Sequence, residues 1–122
     1  MALSEAERET LWDEMLAREA VIRAASDAAL ASAPPDLPPI RDRDVGSGIG
    51  MLKGNVCYVF ESDAGLALAR ERKLTDWLDA QTRRELAGRQ YPATGLAEFT
   101  VRFCTHEEIL RKTGGDYYQF FR

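Results

Sequence analysis

Residues 55–61, "NVCYVFE", leave an extended chain no polar side on which to face water. Side chains alternate along a strand, so Val56, Tyr58 and Phe60 point one way and Cys57 and Val59 the other. A strand of this kind has to be covered twice. The run therefore predicts a central strand with packed layers above and below it, and places the chain among folds that mix helix and sheet.

Two further runs fit a sheet. "LAEFTVRFC", residues 96–104, alternates with Ala97, Phe99, Val101 and Phe103 inward and Glu98, Thr100 and Arg102 outward. "DYYQFFR", residues 116–122, predicts a terminal strand with Tyr118 and Phe120 on one face and Tyr117, Gln119 and Phe121 on the other. The helices are marked by their ends. Ser4 and Glu7 have capping-box spacing and start a helix that runs to Leu30 or Ala31, where Pro34, Pro35, Pro38 and Pro39 break it. Ser62 or Asp63 starts a second, and Thr75 a third that carries Leu74, Trp77, Leu78 and Leu86. Thr105 with Glu108 starts a fourth, which stops at Gly114-Gly115.

The expected order is α-β-α-α-β-α-β: an α+β or α/β fold with a small three-stranded sheet and a long N-terminal helix. The short fourth helix would serve as a crossover and make the last two strands parallel. At 122 residues this is a single domain overall. It divides into an acidic helix (1–33), a Pro/Gly-rich linker and loop (34–54) and an α/β core (55–122).

Net charge is confined to the first part. Residues 1–33 hold seven acids against three arginines, which accounts for the whole net charge of −4; the rest is balanced, with 13 of each sign. The helix stripe of Leu11, Met15, Ile22 and Ala29, with Trp12 and Leu16 beside it, is interrupted by Glu19, Arg23 and Ser26. So thin a stripe suits a helix lying on its own domain or one that docks on a second chain. On the second reading, deleting residues 1–33 leaves a soluble fold.

Several chemistries are excluded or weak. An acidic chain without a basic stripe repels phosphate backbones, so no nucleic acid partner is expected. No run is long and apolar enough for a membrane span. Cys57 and Cys104 are too few and too far apart for a disulfide framework, and each reads as a small hydrophobe in a cytoplasmic protein. The glycine loop "VGSGIGMLKG" misses the phosphate-loop register, because Lys53 follows Leu52 and precedes Gly54. The dinucleotide fingerprint also fails, and the loop precedes a strand instead of following one. His106 is the only histidine and has no second imidazole to complete a zinc site. No cofactor, metal site or catalytic set is expected.

One pattern resembles the nucleotidyltransferase family. Val45-Gly46-Ser47, Glu61-Ser62-Asp63 and Ala97-Glu98-Phe99 resemble its h-G-S motif, paired acids and third acid on a strand. The resemblance implies a small metal-dependent transferase or hydrolase that holds magnesium with Glu61, Asp63 and Glu98. The competing reading makes Ser62 and Asp63 a helix cap. With no catalytic signature elsewhere, the reading favoured is an acidic protein–protein interaction module, of the inhibitor or immunity type, that covers a basic protein partner. Its contacts would be Glu9, Trp12, Asp13 and Glu14 on the first helix and Tyr118 and Phe120 at the C-terminus. Homodimerisation through the first helix is a further option.

Overall fold

The two-faced run forms the middle of a sheet. A computed structural model describes residues 2–46, 53–89 and 98–114. The elements are α1 (Glu5–Ala31), β1 (Ile40–Gly46), β2 (Lys53–Phe60), α2 (Asp63–Glu71), α3 (Leu74–Ala87), β3 (Glu98–Thr105) and α4 (His106–Thr113). These are four helices and a three-stranded sheet with a long first helix, the fold class the sequence predicts.

The strand order is β1-β2-β3. β1 runs antiparallel to β2, with Arg43 opposite Tyr58 and a register shift between Ile40 and Asp42. β2 and β3 are parallel, with Val56 opposite Val101 and Tyr58 opposite Phe103. Their connection passes through α2 and α3, as a parallel pair requires.

β1 lies inside the stretch read as linker, which is a correction. The proline segment before it is packed down as well: Leu37 rests on the core, its N–H donates to Pro34 O at 3.1 Å, and Pro38 is buried. The terminal run at 116–122 lies outside the described residues.

Coverage of β2 is complete on both faces, since Val56 to Phe60 are all fully buried. Val56, Tyr58 and Phe60 pack with Ile22, Ala25 and Ala29 of α1, Leu66 and Ala69 of α2, and Leu74, Leu78 and Leu86 of α3. Phe103 joins this layer, its ring stacked on Tyr58 at a centroid distance of 5.7 Å. Cys57 and Val59 face the other way, against Cys104 and Ile109 of α4. The sheet therefore lies between a three-helix layer and a single short helix.

One buried polar pair ties the main layer together. Thr82 donates its only hydroxyl proton to Leu78 O at 2.8 Å, so the Tyr58 hydroxyl, 2.6 Å from Thr82 Oγ1, is the donor to it. This links the central strand to α3.

The predicted caps hold at three helix starts. Ser4 Oγ accepts from Glu7 N, Ser62 Oγ from Gly65 N and Thr105 Oγ1 from Glu108 N. Thr75 does not start α3. The helix begins at Leu74 after Lys73 in the left-handed region, and Thr75 is buried. Gly114, at φ 67°, ends α4 as expected.

Candidate functional site

α1 is 27 residues long, about 40 Å at 1.5 Å per residue, and only part of it reaches the sheet. Its buried positions are Met15, Arg18, Ile22, Ala25, Ser26 and Ala29, a stripe at three- and four-residue spacing. Of the polar members, Ser26 Oγ turns back to Arg23 O at 2.9 Å, and Arg18 is buried with the stripe. Among the described residues, none before Met15 is buried. The C-terminal half of the helix thus belongs to the core, as the first reading expects, and the N-terminal half contributes no buried side chain to it among the described residues.

The clear half gathers most of the exposed bulky apolar surface. Among the described residues, the large hydrophobics left exposed are Leu3, Trp12 and Leu16 here, and Leu68 and Leu110 elsewhere. Trp12 is half exposed, and Leu16 lies one helical turn further on, so the pair forms a ridge. Two open concavities flank this part of the helix. One is lined by Arg8, Glu9, Trp12 and Asp13, the other by Leu3, Glu7, Leu11 and Glu14 among others. Among the described residues, all that line them belong to α1 or the three residues before it. The sequence places Leu16 beside the core stripe; its exposure depends on where the sheet ends, which spacing within the helix does not report.

Of the expected contact residues, Glu9 and Asp13 are exposed, Trp12 lies between them, and Glu14 is half-buried on the adjoining face. These four share one half-helix. Tyr118 and Phe120 lie outside the described residues.

The start of the helix is held by a full capping box, with Ser4 N donating to Glu7 Oε1 at 3.0 Å and Glu7 N to Ser4 Oγ at 3.1 Å. The backbone hydrogen bond from Ser4, followed by that with its hydroxyl, holds the Glu7 carboxyl below the ordinary 4.5. A depressed carboxyl stabilises the helix start fully above 4.5, and the effect disappears as pH falls through its lowered value. Ser4→Ala is expected to move the Glu7 titration back up toward 4.5 and to loosen residues 5–8. An NMR pH titration of Glu7 and the first-turn amides measures both.

The carboxylates of the transferase pattern do not meet. Glu98 opens β3 opposite Lys53, whereas Glu61 and Asp63 follow Phe60, which pairs with Thr105. Seven residues of strand separate Glu98 from Thr105, about 23 Å at 3.3 Å per residue. Asp63 is instead tied to the far end, its Oδ1 accepting from Thr105 Oγ1 at 3.1 Å. Ser62 is engaged as a cap. Glu61, Asp63 and Glu98 therefore cannot share an ion, and no other cluster of three metal-binding side chains occurs among the described residues.

His106 opens α4, half-buried. Residues 47–52 of the glycine loop lie outside the described residues, but the loop connects antiparallel neighbours and leads into β2, as its position before a strand implies. None of the described helices is long and apolar enough to cross a membrane. Comparison with family models, with curated proteins and with solved structures finds no match to this chain.

Proposed function

We propose that this chain is a protein–protein interaction module that uses the projecting half of α1 to cover a basic protein partner, as an inhibitor or immunity protein does. The observation that carries the reading is the free half-helix itself. It combines a half-exposed tryptophan, a neighbouring exposed leucine and flanking carboxylates on a scaffold whose other end is anchored in the core. Rigid aromatic anchors supply lasting contact, and surrounding charge steers a complementary surface and rejects others. All of the chain's net negative charge lies in residues 1–33, so a partner with a basic groove, such as a nuclease, suits it best.

The test is capture from cells that make the protein, comparing the unaltered chain with Trp12→Ala and with the double reversal Glu9→Lys, Asp13→Lys. All three substitutions are at exposed positions and should leave thermal unfolding unchanged. A basic protein should be captured by the unaltered chain and lost from the charge-reversed one, with an affinity that falls as salt rises. For the purified pair, Trp12→Ala should cost about 2 kcal/mol, roughly thirty-fold in Kd. A partner retained at full affinity by both variants would place the binding face elsewhere.

A further inference from the structure

Cys57 and Cys104 are 47 residues apart in the chain, yet their Sγ atoms lie 2.8 Å from one another. The register explains the meeting. Cys57 stands opposite Arg102 and Cys104 opposite Val59, so the two are diagonal neighbours on one face of adjacent parallel strands. Both are buried, and Ile109 of α4 closes the small cluster over them. Nothing in the proposed binding role uses this pair, which lies on the far side of the sheet from α1.

We propose that Cys57 and Cys104 are an oxidant-reactive pair that closes reversibly to an intramolecular disulfide, with a peroxide as the co-reactant. One thiolate attacks a peroxide oxygen. The O–O bond breaks, the sulfur becomes a sulfenic acid, and with hydrogen peroxide the other oxygen leaves as water. The second thiol then attacks that sulfur and displaces the hydroxyl as a second water. In sum, two thiols and one hydrogen peroxide give one disulfide and two waters.

Geometry favours the second step. The sulfurs have less than 1 Å to close to reach the bonded length of about 2.05 Å, so the neighbouring thiol reacts with the sulfenic acid ahead of any thiol from solution. A peroxide is close to water in size, so brief lifting of the eight-residue α4 is enough to admit it. Diagonal neighbours stand about 7–8 Å apart at Cα, just beyond the roughly 4.4–6.8 Å that disulfides span, so closing the bond draws the two strands slightly together and strains it. Such a bond is readily reduced, which makes the pair a switch and not a permanent staple.

The experiment treats the folded full-length protein with a small molar excess of hydrogen peroxide, quenches it, and maps it by mass spectrometry after non-reducing trypsin digestion. The expected product is a monomer two hydrogens lighter. It carries a cross-link between peptide 54–70, with Cys57, and peptide 103–111, with Cys104, and reduced glutathione reopens it. Cys104→Ser should abolish the cross-link and leave Cys57 trapped as a sulfenic acid that dimedone labels. Persistence of both thiols in the unaltered protein, independent addition of oxygens to each cysteine, cross-linking only between molecules, or a cross-link that glutathione cannot reopen would each overturn the proposal. The unaltered chain decides the matter even if the serine variant fails to fold.

Discussion

Replacing Phe60 with alanine is expected to lower the unfolding free energy by about 3–5 kcal/mol, read from urea denaturation. Phe60 is fully buried at the end of β2, and its ring lies 6.5 Å from that of Phe103. It is surrounded by three helices and by strands on either side, so the neighbours have little freedom to collapse into the space. A domain of this size has a total stability of roughly 5–15 kcal/mol. The loss is therefore a large share of the whole, and Phe60→Ala should melt well below the parent. A cost under 1 kcal/mol would mean that β2 is not the centre of the core.

A larger effect is expected from truncation, and it depends on where the cut falls. Deleting residues 1–33 removes Ile22, Ala25 and Ala29 from the layer they share with α2 and α3 over the sheet. Truncating one buried isoleucine alone costs about 2–5 kcal/mol, so loss of the whole stripe should abolish cooperative unfolding or cause aggregation. The sequence-based expectation of a soluble fold without residues 1–33 is thereby corrected. Deleting residues 1–14 removes no buried residue and should leave a folded protein, weaker by the lost cap at about 1 kcal/mol. Circular dichroism melts of the two truncations make the comparison; a cooperative melt for the chain starting at residue 34 would place α1 outside the core.

These contrasts show which parts of the fold are legible in the sequence. The central strand is legible because apolar residues on both faces leave only one environment for it. The caps at Ser4, Ser62 and Thr105 are legible because the bond that satisfies a helix N–H is local, three residues away. β1, "IRDRDVG", is not. Four charged residues in succession mask any alternation, and only pairing with β2 makes the segment a strand. Thr75 misleads because it has the chemistry of a cap, while its side chain is needed inside.

The candidate site is legible to the same extent. The acidity and Trp12 are visible in the helix itself, so the half-helix can be found from spacing and charge. Where α1 leaves the sheet is set by tertiary packing, and that boundary decides that Leu16 is exposed while Met15 is buried. The meeting of Cys57 and Cys104 depends on the register of two strands joined through two helices, which no local pattern contains. The same register separates Glu98 from Asp63, and so removes the constellation that the transferase resemblance implies.

Residue-resolved amide hydrogen exchange on the isolated protein tests the division of α1 most directly. Amides from about Arg18 to Ala29 should exchange only with global unfolding, at the same free energy as those of β2. Amides from Arg8 to Glu14 should exchange far faster, through local fraying of a half-helix that buries no side chain among the described residues. Uniform protection along the helix, with residues 8–14 as slow as β2, would show that the acidic half is already packed and would contradict its role as an open binding face.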